Sequence, residues 1–260
     1  SVMWTATDVN GNISNCTMTV TVTPAPEPAI DPVSAFCDGS ASSVLTASPG
    51  GGTWAGAGIT NAATGDFDPT AVGPGLHDIV YTFTDNLGCS GEDVRTIEVG
   101  AAIDLIETHT DVSCNNSEDG AIDLTVSGGF PPYNYLWSNG ATTEDINGLA
   151  PDSYSVEITD SESCVKMDTI DITEPAAIAV TDAVTDVSCH GENDGEIDIT
   201  ITGGTAPFTQ VWGTGATSED VNGLSGGSYS VVITDANGCV GTHLASVDEP
   251  DTMIPVSYTH

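Results

Sequence analysis

The stretch TDANGC, Thr234 to Cys239, occurs in variant form three more times: TDVNGN from Thr7, TDNLGC from Thr84 and TDSESC from Thr159. The last three copies start 75 residues apart. A catalytic site is written once in a chain, whereas a repeated module writes its structural joints in every copy. Asn237-Gly238 is expected to form a tight type I′ hairpin turn, whose two central residues need positive φ. The strands on either side alternate. Tyr154, Val156 and Ile158 interleave with Ser155, Glu157 and Thr159, and Ile197, Ile199 and Ile201 interleave with Asp198 and Thr200. One apolar and one wet face is how an antiparallel sheet with a single buried side reads.

Residues 101–175 and 176–250 align without a gap, with roughly half the positions identical. TDVSCNNSEDGAIDLTVSGGFPPY from Thr110 meets TDVSCHGENDGEIDITITGGTAPF from Thr185, and WSNGATTEDINGL from Trp137 meets WGTGATSEDVNGL from Trp212. Each unit closes on Glu-Pro, at Glu174-Pro175 and Glu249-Pro250, where proline fixes φ and restricts its neighbour. Residues 24–100 are a looser cousin behind a Pro-rich opening. Residues 1–23 read as the C-terminal hairpin of a partial domain, and 251–260 as the first strand of a further unit. A period of this length fits a tandem array of small domains, since solenoid repeats are shorter. Turn signals every eight to twelve residues or so point to sandwiches. Trp137 and Trp212 stand where an immunoglobulin-like domain keeps its core Trp, and Tyr154 and Tyr229 where it keeps a corner tyrosine. The fold class expected is all-β, a tandem array of immunoglobulin-like antiparallel β-sandwich domains.

The chain carries 38 acidic residues against Lys166 and Arg95, a formal charge of −36. Nucleic acid and anionic lipid both require Lys and Arg, so neither is a partner. No apolar run is long enough to span a membrane. The start, SVMWTATDVNGN, has neither a basic opening nor an apolar core, so an export signal is expected outside this stretch.

Cysteines stand at 16, 37, 89, 114, 164, 189 and 239. Taken in order after Cys16 they give Cys37 with Cys89, Cys114 with Cys164, and Cys189 with Cys239, separations of 52, 50 and 50 residues. One disulfide inside each module is the expectation, and with it an oxidising, extracellular setting. Closing such a loop is worth roughly 4 kcal/mol. Short CxxC pairs suited to zinc are absent from the sequence.

The run DVSCxxxxDGxI…GGxxPF/Y…W…GATxED…NGL…SYSVxITD…C closely resembles the SprB-type repeat of giant surface adhesins of Bacteroidetes, including those used in gliding motility. Residues 24–100 resemble the PKD-like or immunoglobulin-like modules that accompany such repeats, and 1–23 the end of a HYR domain. The resemblance implies export by the type IX route, an extracellular, cell-surface location, and a role in filaments or adhesion. The first repeat departs at SESC, where a looser or different turn is expected.

Calcium is the cofactor the acidic clusters suggest. Asp111, Glu118, Asp119 and Asp160 in one repeat, and Asp186, Glu192, Asp194 and Asp235 in the next, lie close to the paired cysteines, and calcium takes six to eight oxygens. Thr169 and Thr252 sit in Asp-Thr-apolar triplets that resemble the O-glycosylation signal of Bacteroidetes. No GxSxG or HExxH stretch occurs, and no carboxylate pair stands outside the repeat pattern, so an enzyme is not expected. The function read from the sequence is a structural repeat segment of a secreted bacterial adhesin or filament. Its partners are other modules of the same chain, other filament chains, and surface polysaccharide or substratum. Two rivals stand beside it. One is a glycan-binding array using Trp4, Trp54, Tyr133 and Tyr135. The other is a polymer in which neighbouring chains complete each other's sheets by strand addition.

Overall fold

The structure is a computed structural model that describes residues 1–253. The expected opening strand over 251–260 falls on residues of which 254–260 lie outside the described set, and 251–253 carry no strand. The described residues form strands, turns and one 3-10 turn, Pro69–Ala71. They divide into two compact units: residues 1–103 with 128–131 and 160–164, and the remainder.

The first unit opens on an antiparallel hairpin, Val2–Thr7 with Ile13–Met18, in which Trp4 faces Cys16. Every residue of it is exposed, Trp4 at 68%. The rest of the unit has its own core. A three-stranded sheet orders Ser90–Val99, Gly75–Thr84 and Thr53–Gly56, and a second orders Ser43–Val44, Asp66–Phe67 and Ile59–Asn61. Between them lie Ile30, Leu45, Trp54, Phe67, Ile79, Tyr81, Ile97 and Val99. Trp54 tilts against Tyr81 at a centroid distance of 4.6 Å, and the Tyr81 hydroxyl donates to Pro49 O and accepts from Gly52 N. Trp54 is therefore core, which removes it as a glycan platform.

In the second unit the two repeats share one plan. In the second repeat, Ala179–Thr185, Gly195–Thr202 and Val221–Leu224 form one sheet, and Thr209–Trp212, Gly227–Thr234 and Val240–Val247 the other. Strands one, two and four against three, five and six is the immunoglobulin-type split of an antiparallel sandwich. The alternating residues do what the sequence asks of them. Ile197, Ile199, Val231 and Ile233 are at most 2% exposed and pack from the two sheets into one cluster with Trp212 and Val247. Each such side chain is worth about 1.5–3 kcal/mol of burial. Trp212 Nε1–H donates to Ser218 O, and Trp137 Nε1–H to Thr143 O in the first repeat. The corner tyrosines reach back four residues, Tyr154 to Ala150 O and Tyr229 to Ser225 O. The chain is thus all-β, built of immunoglobulin-like antiparallel sandwiches.

Candidate functional site at the hairpin tips

The motif that recurs four times folds the same way each time. In TDANGC, Asp235 N–H donates to Cys239 O and Gly238 N–H to Asp235 O, while Asp235 Oδ1 accepts from Asn237 N–H and Cys239 N–H. Gly238 has φ +85° and Asn237 does not have positive φ. The turn is therefore a three-residue loop ending in a left-handed residue, not the two-residue type I′ turn expected from Asn-Gly. The same bonds form at Asp160–Cys164, Asp85–Cys89 and Asp8–Asn12. The SESC copy is no exception to the geometry, since Ser163 takes the left-handed place at φ +68°. The aspartate fixes the turn, because its carboxylate satisfies donors that the turn would otherwise leave bare.

Asp160 and Asp235 are the buried charged residues of the molecule among those described, at 3% and 6% exposed. Each reaches with Oδ2 to a neighbouring loop, Asp160 to Phe130 N–H and Asp235 to Thr205 N–H. Burial pushes the Asp235 carboxyl up. Backbone N–H groups of Thr205, Cys239, Asn237 and Gly238 outweigh it and hold the group below the usual carboxylate value.

The cysteines overturn the sequence pairing. Cys37 is bonded to Cys164 and Cys114 to Cys239, each with a Cα separation of 5.5 Å. Cys16, Cys89 and Cys189 are free thiols. The second repeat shows why Cys189 cannot meet Cys239. Cys189 precedes the N-terminal end of Gly195–Thr202, whereas the hairpin tip packs on Thr205 beyond its C-terminal end. Eight strand residues span about 26 Å, and a disulfide needs Cα atoms within about 7 Å. The tip instead sits on the preceding repeat, where Asn237 Nδ2 donates to Ser113 O at 3.1 Å. Around that contact a cavity of about 360 Å³ is lined from the first repeat and linker by Cys114, Asn115 and Pro175 to Ile178, and from the second repeat by Asp235 and Cys239 among others.

A family model for the SprB repeat matches residues 106–142 and 181–217. The chain carries two SprB repeats. No curated protein matches the chain. Among solved structures it is similar to the N-terminal eight immunoglobulin domains of Down Syndrome Cell Adhesion Molecule, at 12% identity and a TM-score of 0.43, covering 95% of this chain and 39% of that one. It is also similar to a three-immunoglobulin structure of titin, at 14% identity and TM-score 0.38, covering 88% of this chain and 100% of that one. Immunoglobulin domains 1 to 5 of Sidekick-1 match at 13% identity and TM-score 0.28, over 94% and 65% of the two chains. The chain spans well under two thirds of the length of the first of these.

Within the SprB repeats, the aspartates expected to hold calcium accept hydrogen bonds from backbone N–H groups. Asp111 accepts from Thr173 N–H and Asp186 from Asp248 N–H. Asp119 accepts from Ser113 N–H and Asp194 from Ser188 N–H. Their pKa values are held down at Asp111 by Thr173, at Asp119 by Ser113 and at Asp194 by Ser188. Glu118 and Glu192 are exposed. Among the described residues no three His, Cys, Asp or Glu side chains gather as a metal site. The expectation of a shared cluster assumed that a disulfide within each module would draw its acidic stretches together, and those disulfides do not form. Of the proposed sugar acceptors, Thr169 lies exposed on the edge strand Val165–Ile172, and Thr252 is exposed beyond the last strand.

Sequence reasoning missed two contributors. Glu174 and Glu249, read only as partners of proline, accept from Asn116 N–H and Gly191 N–H and tie the cysteine-bearing turn of each SprB repeat to its end. Their recurrence at one repeat position was the available signal. Tyr135, weighed as a glycan platform, is half-buried, and burial together with a hydrogen bond to Glu144 pushes its phenol to about 12.

Proposed function

We propose that this chain is a structural segment of an exported bacterial surface adhesin or filament, whose modules are covalently stapled each to the next. The modules are residues 24–100, 101–175 and 176–250, with 1–23 as the end of a further domain. The observation that carries the reading is the pairing of Cys37 with Cys164 and Cys114 with Cys239, in intervals that overlap along the chain. A disulfide inside a module stabilises that module alone. Overlapping disulfides turn a string of sandwiches into a load path. Disulfides suit an oxidising compartment, which supports a reading of the cell surface, export by the type IX route and work under tension such as gliding demands. The carboxylates supply a solvated, salt-tolerant surface, and Thr169 and Thr252 are where surface sugars would attach.

Pulling single molecules between residues flanking Cys114 and Cys239 tests this. With those two cysteines bonded to each other the covalent path between the handles is a few residues, so the oxidised chain gains almost no length under load. Bonds inside each module would leave about 25 residues between the handles, or ~85 Å extended, and the reduced chain reaches ~425 Å. The expected result is a chain that lengthens only on reduction. An oxidised chain that extends by ~85 Å or more would remove the load-bearing reading.

A further inference from the structure

Two bonds in this chain join an Asp-Xaa-Xaa-Xaa-Cys hairpin to a cysteine of the module before it. In the second unit the receiving face is built by the first SprB repeat: Ser113, Cys114, Asn115 and the linker from Pro175 to Ile178. The same face recurs 75 residues later. Ser188, Cys189, His190 and the linker Pro250 to Met253 line a cavity of about 430 Å³. Position by position these are the counterparts of the first repeat's contribution, and among the described residues no hairpin fills them. Cys189 is exposed and free, and Ser188 N–H is fixed by Asp194 as Ser113 N–H is by Asp119. The Cys189 turn is also held as the Cys114 turn is, through Glu249 to Gly191 N–H and to His190 at 3.0 Å. The second repeat thus presents a formed receiving face. Its own hairpin cysteine is already spent on Cys114.

We propose that this face of the second SprB repeat is the docking site for the Asp-Xaa-Xaa-Xaa-Cys hairpin of a further SprB repeat joined after Pro250, closed by a disulfide to Cys189. The hairpin aspartate shapes the tip, the residue at the place of Asn237 donates to Ser188 O, and the thiol meets Cys189. The bond forms by exchange with a small-molecule disulfide. Two protein thiols give up two protons and two electrons, and the reagent leaves as two thiols. The inference rests on reading the disulfides as joints between modules, and it is independent of any adhesive role.

The test inserts a second copy of residues 176–250 after Pro250 of the full chain. The protein is oxidised in a glutathione buffer, alkylated and mapped as disulfide-linked peptides. The expected map joins Cys189 to the inserted copy's counterpart of Cys239, and Cys189 loses its alkylation. The new free thiol is the inserted copy's counterpart of Cys189. In the same extended chain, Cys189→Ser is expected to leave the inserted hairpin thiol open to alkylation, with the Cys37–Cys164 and Cys114–Cys239 bonds retained. A Cys189 that still alkylates fully, or an inserted copy bonded within itself, overturns the proposal. Loss of the two existing bonds from the map would instead overturn the joint reading on which it rests.

Discussion

Cys114→Ser is expected to lower the melting temperature of the second unit by roughly 10–20 °C, while Cys189→Ser leaves it unchanged. The two substitutions are matched, since both remove a thiol at the same repeat position. Only Cys114 is bonded, and its bond closes a sequence separation of 125 residues. In the chain-entropy account a loop of that size restricts the unfolded ensemble by about 5 kcal/mol. For a unit of this size each kcal/mol moves the midpoint by about 2–4 °C. The native contact loses more than the covalent link, because the bond holds the Asn237 amide on Ser113 O. Calorimetry on the two variants and the parent measures the difference. A comparable drop in both variants would point back to bonds inside each module, where Cys189 too is paired, and equal melting of parent and Cys114→Ser would mean that Cys114 carries no bond.

Trp212→Ala is expected to destabilise the second SprB repeat by about 3–5 kcal/mol. Trp212 is 2% exposed and lies in the cluster formed by Ile197, Ile199, Val231, Ile233 and Val247. Deleting it opens a cavity between the sheets and leaves Ser218 O without the indole N–H at 3.0 Å. Trp4→Ala is the contrast. Its ring is 68% exposed, so a change within about 0.5 kcal/mol is expected. Urea unfolding followed by circular dichroism reads both. A Trp212→Ala midpoint indistinguishable from the parent would mean that the ring does not carry the core.

The core was legible because its signal is local. Alternation at Ile197 to Ile201 and at Tyr154 to Ile158 states which face is buried, and a sheet has only two faces. Trp137, Trp212, Tyr154 and Tyr229 follow from the same pattern. The hairpin was half legible: Asp and Gly announced a turn, but its loop length depends on which residues pair, and Asp235 with Cys239 gives three loop residues rather than two. The disulfides were not legible from spacing. In a chain with a repeat of 75 residues, moving every partner on by one repeat leaves the spacings as regular as before. Separations of 127 and 125 are as even as 52, 50 and 50. What decides is which end of the sandwich each cysteine occupies, and that requires the strand Gly195–Thr202 to be placed between them. The calcium expectation drew on the pairing inside each module, which brought the acidic stretches of one repeat together. Each aspartate is answered by a backbone N–H of its own repeat, a role that a short acidic residue beside a turn fills as readily as ion binding.

The central claim is that disulfides run between consecutive modules. The most direct measurement is a peptide map of the unreduced, alkylated chain. The account expects linked peptides carrying Cys37 with Cys164 and Cys114 with Cys239, and alkylation at Cys16, Cys89 and Cys189. Peptides joining Cys37 to Cys89, Cys114 to Cys164 and Cys189 to Cys239, with Cys16 alone alkylated, would contradict it.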